Sequence, residues 1–136
     1  MTSDPTDAVD VEIRWPDVDA YGHVSHMALV AIAEHGRSRW LDATLGSEPE
    51  TWPYVVVHLE IDFRSPARFV DRSIRCSFAT QRVGTSSVTL RERFATSGGA
   101  VVMEATSVIV AWSEGQSASR PLTSDEQDRL RPEALD

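Results

Sequence analysis

The chain has 136 residues, with 13 arginines and no lysine against 21 acidic residues, for a formal charge of −8. Without lysine, Schiff-base catalysis, a P-loop lysine and a Ser–Lys dyad are excluded. The single cysteine, Cys76, excludes an internal disulfide and any zinc or iron–sulfur site built from several thiolates.

The length fits one domain with a genuine core, and 41% hydrophobic with 25% charged residues is a globular composition. No basic tract exists to neutralise phosphates, so nucleic acid is not an expected partner. No apolar run reaches membrane-spanning length, and the acidic start MTSDPTDAVD lacks the layout of a signal peptide. The expectation is a cytoplasmic protein with no membrane partner.

Residues 1–8 read as a poorly ordered polar tail, and residues 9–136 as one domain with a polar C-terminal tail. Val9, Val11, Ile13 and Trp15 alternate, which predicts a strand over 9–15 that Pro16 stops. Residues 17–23 carry turn chemistry without periodicity. A helix is expected over 26–41 with Ser25 as N-cap. Its apolar face is Leu29, Ile32, Ala33, Gly36 and Trp40, with Glu34, Arg37 and Arg39 mostly off it. Small residues on that helix suit close approach to a sheet, and Gly46 is a stop signal.

Beyond Pro53 the period becomes two. Val55, Val57, Leu59, Ile61 and Phe63 are expected on one face, with Val56, His58, Glu60, Asp62 and Arg64 on the other. Ile74, Cys76 and Phe78 mark a third strand, Val88 and Leu90 a fourth, and residues 100–112 a fifth. Gly84 and Gly98-Gly99 mark the linking turns. A short helix over 124–130 is expected with Ser124 as cap. Thus one strand, one long helix and four meandering strands form an α+β chain. One helix covers only one face of such a sheet, so the sheet is expected to wrap it and to pair with another subunit.

The stretch Arg14-Trp15-Pro16-Asp17-Val18-Asp19-Ala20-Tyr21-Gly22-His23-Val24 resembles the entry motif of hotdog-fold acyl-CoA thioesterases, nearest to the 4-hydroxybenzoyl-CoA thioesterase-like family. Glu34 and Arg37, the strand VHLEIDF before Pro66-Ala67-Arg68, Asp71, and Val83-Gly84-Thr85-Ser86 follow in the family's order. The resemblance spans residues 9–112. It implies a hotdog fold of about five antiparallel strands around one long central helix. It also implies a homodimer or homotetramer with active sites at the subunit interface, and acyl-CoA as substrate. By position, Asp19 is the family's catalytic carboxylate.

The residues themselves support that chemistry. Thioester hydrolysis needs a nucleophile or an activated water, and donors for the developing oxyanion. An aspartate side chain is ionised at neutral pH. Asp19 lies shortly before a helix start, where the N–H groups of His26 and Met27 can face an oxygen, and Gly22 permits the turn.

His23 and His26 are further catalytic candidates. Tyr21, Gly22, Ser25, His58, Arg68, Thr85 and Ser86 are substrate-binding candidates. Ser25 and His26 stand where the family commonly has two asparagines. Asp17 reads as a loop hydrogen-bonder and Cys76 as a core thiol; Glu34 and Arg37, three apart, could form a surface pair, while the resemblance implies a buried or interface structural role for them. Arg64, Arg68, Arg82 and Arg120 are the candidates for the CoA phosphates, which a protein of charge −8 must hold locally.

No cofactor and no metal is expected. Two other functions stay open: a non-catalytic acyl-CoA-binding module, and acyl-CoA hydration or dehydration, which the Asp19-to-His23 spacing fits poorly.

Overall fold

A computed structural model describes residues 8–132. The expected tail over 1–8, except Ala8, and the last four residues lie outside the described residues. The elements are β1 (Val9–Glu12), α1 (His26–Leu45), β2 (Tyr54–Phe63), β3 (Ser73–Val83), β4 (Ser87–Thr96), β5 (Val101–Ser113), β6 (Ala118–Ser119) and α2 (Ser124–Arg129). Single 3-10 turns occupy Trp15–Asp17 and Phe69–Asp71.

The antiparallel sheet runs β1-β3-β4-β5-β2, with β6 pairing the end of β5. It curls around α1, as the resemblance implies. Only β3, β4 and β5 form a meander. The first strand of the expected meander, β2, crosses to the far edge and pairs β5 instead of β3. Local alternation specifies that β2 is a strand but carries no information on its neighbour.

Strand β1 is shorter than expected. Arg14 caps the following 3-10 turn, Pro16 fits that turn, and Trp15 is left 73% exposed. Helix α1 runs one turn beyond residue 41 and ends at Gly46, whose φ of +65° is the left-handed conformation glycine takes without penalty.

Leu29, Ile32, Ala33, Gly36 and Leu41 are buried on α1. At Gly36 a Cβ would stand 3.0 Å from both Cβ and Sγ of Cys76. That glycine lets helix and sheet approach. Around it Val11, Ile13, Leu29, Ile32, Cys76, Phe78, Phe94 and Met103 form one core cluster. Leu41, Trp52, Val88, Leu90, Ile109 and Leu130 form a second beneath the helix C-terminus. Each large side chain so buried contributes about 1.5–3 kcal/mol.

Strand β2 carries a bulge between Val56 and His58 that reverses the expected alternation. Beyond it Leu59, Ile61 and Phe63 oppose the buried Ser107, Ala105 and Met103. Before it Val56 opposes buried Ile109. Val56 therefore shares the helix-facing side with Leu59, while Val55 takes the outer side. His58, Glu60 and Asp62 lie on the outer face, as expected.

The short helix α2 is capped by Thr123 rather than Ser124. Thr123 Oγ1 accepts the Glu126 N–H at 3.1 Å, and the Glu126 carboxylate accepts the Thr123 N–H at 2.9 Å.

Candidate active site

Two aspartates two residues apart do different work in the loop before α1. Asp17 is buried and its carboxylate is fully engaged. Oδ2 accepts the Arg14 N–H at 2.8 Å, and Oδ1 accepts Arg14 Nη2 at 3.0 Å. Its carbonyl accepts the Ser25 N–H at 2.9 Å. Asp17 thus ties the two ends of the loop together.

Asp19 is exposed. Its Oδ1 accepts the N–H groups of Tyr21 at 2.9 Å and His23 at 3.2 Å. The main chain closes the same turn, with Asp19 N–H donating to the His23 carbonyl at 2.8 Å and Gly22 N–H to the Asp19 carbonyl at 3.0 Å. Gly22 has φ +79° and open space around it, so backbone conformation rather than room demands glycine. Among the described residues Oδ2 of Asp19 has no protein partner. The loop fixes one carboxylate oxygen and presents the other.

The start of α1 supplies donors. Ser25 Oγ accepts the Ala28 N–H at 3.1 Å, and the Ser25 carbonyl accepts the Leu29 N–H at 2.9 Å. Ser25 performs the capping role its sequence position predicts. The N–H groups of His26 and Met27 keep no protein acceptor among the described residues. They lie at the positive end of a 20-residue helix, a favourable place for an anionic oxygen.

The other expected site residues divide into two groups. His23 pairs with Arg68 across an isolated antiparallel bridge, and the Val24 N–H donates to the Ala67 carbonyl at 2.8 Å. Tyr21, Gly22 and His23 therefore bond directly to Asp19, Arg68 bridges to His23, and Ser25 and His26 follow where the loop enters α1. His58 lies on the outer sheet face, its Nε2 3.5 Å from Glu60 Oε1. Thr85 and Ser86 sit in the β3–β4 hairpin, where their carbonyls accept the N–H groups of Leu122 and Ala111. That hairpin borders the helix C-terminus, and a helix of 20 residues is about 30 Å long. Within one chain the structure does not bring His58, Thr85 or Ser86 to the loop.

Sequence reasoning missed Phe63 as a site residue. Its ring meets the edge of His26, with centroids 6.1 Å apart at 80°, so the exit of β2 flanks the helix start. Farther along α1 a cleft of about 160 Å³ lies between α1 and β2, lined by Val30, Ala33, Val56, Leu59, Ile61 and Met103. Arg37 and Glu92, a buried bidentate pair, also line it. Arg37 is buried, which agrees with the buried or interface role that the resemblance implies, but its partner is a carboxylate from β4 and not Glu34.

Of the phosphate candidates, Arg64 is held by Glu104 and Asp62, and Arg120 by Glu126. Arg68 and Arg82 have no carboxylate partner among the described residues. Cys76 is a core thiol, pushed up to about 12 by burial first and then by the charges of Asp10 and Glu92.

The Thioesterase-like superfamily profile matches residues 13–129. The fold is similar to that of a predicted thioesterase from Bacillus stearothermophilus. That match has a TM-score of 0.79 at 20% identity, covering 91% of this chain and 92% of the other. A thioesterase-superfamily protein from Jannaschia gives 0.81 at 22%, covering 90% and 89%. A Thermus thermophilus thioesterase complexed with coenzyme A and zinc gives 0.72 at 22%, covering 91% and 90%. No curated protein sequence matches the chain. With its match running from the end of β1 to α2, the chain belongs to the Thioesterase-like superfamily, and hydrolysis of a thioester is the reaction class that membership carries.

Proposed function

We propose that the protein is a cytoplasmic acyl-CoA thioesterase working as a homodimer or homotetramer, with Asp19 as nucleophile or general base. One observation carries the reading. Of the two motif aspartates, only Asp19 keeps a carboxylate oxygen without a partner among the described residues, and its loop leads through Ser25 into α1, whose first two N–H groups have no acceptor there. In the acylated substrate the carbonyl oxygen takes the His26 and Met27 N–H groups as the carbonyl carbon becomes tetrahedral. Asp19 Oδ2 attacks that carbon directly, forming an acyl–aspartyl anhydride that a water then cleaves to the free acid, or takes the proton of an attacking water. The thiolate of CoA departs without a strong general acid. His23 and the exposed His26 border the reacting centre.

The acyl group enters the cleft between α1 and β2. An apolar cavity of about 150 Å³ accommodates benzene, so 160 Å³ suits one aromatic ring or a short chain of similar volume.

The free edge of β2 supports the oligomer. Val57, Leu59 and Phe63 are 57%, 37% and 50% exposed there, on a strand with one side unpaired among the described residues. Such an edge is a template for pairing with a second copy. That pairing would cover the apolar residues and set His58, Thr85 and Ser86 of one subunit in range of the other's site. Among the described residues no helix is long and apolar enough to cross a membrane.

The test is thiol release from a panel of aliphatic, branched and aromatic acyl-CoAs, alongside the loss of enoyl-CoA ultraviolet absorbance. Turnover of an acyl-CoA in the first assay supports the reading. Tight binding of the whole panel without turnover, or enoyl hydration alone, contradicts it.

A further inference from the structure

The turn that shoulders the catalytic loop combines four features that the reaction centre does not use. Arg68 and Arg72 are both exposed, and neither has a carboxylate partner among the described residues. Asp71, between them, is turned back onto the Arg68 N–H at 2.8 Å. Trp15 and Phe69 stand beside them, ring centroids 5.4 Å apart at 87°, and remain 73% and 40% exposed. The turn is stapled on both sides, since its Arg72 carbonyl accepts the Ile13 N–H at 2.8 Å and its Ala67 carbonyl accepts the Val24 N–H.

Arg72 is also in the wrong backbone for its residue type. Its φ of +71° and ψ of −46° lie near the strained γ-turn conformation, which glycine adopts far more readily. A glycine there would relieve strain, so the arginine is retained at a cost in stability. A side chain with a task accounts for that cost.

We infer that this turn docks the nucleotide end of the CoA substrate, with Arg68 and Arg72 holding its phosphates and the Trp15–Phe69 pair receiving the adenine. The inference rests on the thioesterase reading above and adds to it where the phosphates go. Charge singles out the occupant. In a chain of −8, two unpaired guanidinium groups four residues apart form a local cationic site, and guanidinium forks match phosphate oxygens. The exposed indole offers a base the flat apolar surface on which nucleobases stack. The bridge between Arg68 and His23 sets this site beside the reacting centre, so the pantetheine arm folds back rather than extending.

The experiment compares hydrolysis of an acyl-CoA with that of the same acyl group on pantetheine, which lacks the nucleotide. The proteins are the full chain and its Arg72→Gly, Arg68→Gln and Trp15→Ala variants. In the parent, kcat/KM for the CoA ester should exceed that for the pantetheine ester by tenfold or more. Each variant should narrow that ratio about tenfold, through KM of the CoA ester with kcat held. Arg72→Gly should do so while melting at the same or a higher temperature, which separates lost binding from lost folding. A parent inactive on both esters overturns the thioesterase reading itself. An active parent whose ratio is unchanged in all three variants overturns only the docking site. Oligomer dissociation in Trp15→Ala with an unchanged ratio does the same, by assigning the patch to a second copy.

Discussion

Arg37 on α1 and Glu92 on β4 form a buried bidentate pair. Nε donates to Oε2 at 2.7 Å and Nη2 to Oε1 at 2.8 Å, and Ser107 Oγ donates to the same Oε2 at 2.6 Å. Both side chains are essentially inaccessible, 3% and 0% exposed. Removing one partner strands the other charge away from water, which costs about 3–5 kcal/mol. Glu92→Gln should therefore lower stability by about that much in urea unfolding. Ser107→Ala should cost only about 1 kcal/mol, because the guanidinium fork still satisfies the carboxylate.

Gly36 yields a prediction opposite to helix propensity. Alanine is worth about 1 kcal/mol more than glycine inside a helix. The added Cβ would meet Cys76 Cβ and Sγ at 3.0 Å, and the Cβ on β3 cannot rotate away. Gly36→Ala should thus destabilise the fold, by about 1 kcal/mol net in thermal or urea unfolding, instead of stabilising it.

The C-terminal segment is held by Glu126, whose carboxylate takes both Arg120 Nη1 and Nη2, Trp52 Nε1 at 2.7 Å and the Thr123 N–H. The Arg120 hydrogen bonds lower its pKa from the ordinary 4.5 to about 2, with Thr123 and Trp52 adding to them against the opposing effect of burial. A carboxylate lowered in the folded state stabilises above its unfolded pKa and loses that contribution as pH falls through the folded one. Glu126→Gln should cost about 2 kcal/mol at pH 7. The gap between parent and variant should close between pH 4.5 and about 2. Urea midpoints measured across that range check it.

Leu59 lines the cleft proposed for the acyl group. Leu59→Trp should fill the cleft and lower kcat/KM for a benzoyl or hexanoyl ester about tenfold or more, with acetyl-CoA turnover far less affected. Comparing the three esters on one preparation checks it.

The legible part of the molecule was whatever short-range chemistry dictates. Ser25 as cap, Gly46 as stop, Gly84 and Gly99 as hairpin residues, and the Asp19–Gly22–His23 turn all follow from local backbone requirements. What depends on distant chain segments was not legible. Nothing near Val57 in the sequence announces the bulge that exchanges Val55 and Val56 between faces. The partner of Arg37 lies 55 residues away on β4, so its neighbour Glu34 was the only visible choice. The strand order was hidden for the same reason, because alternation reports a strand's faces and not its edges. His58 is a candidate because its strand face can reach the neighbouring active site, and Thr85 and Ser86 because their turn offers hydrogen bonds to pantetheine or phosphate; one chain alone holds all three apart from Asp19.

The central claim is that the free oxygen of Asp19 drives the reaction, and Asp19→Asn tests it most directly. Asparagine keeps a carbonyl oxygen to accept the Tyr21 and His23 N–H groups, so the loop is retained while the ionised oxygen is lost. With an acyl-CoA the parent turns over, kcat should fall about 10²–10⁴-fold, with the melting temperature and oligomeric mass preserved. Turnover at the parent rate in a folded Asp19→Asn protein would contradict the account.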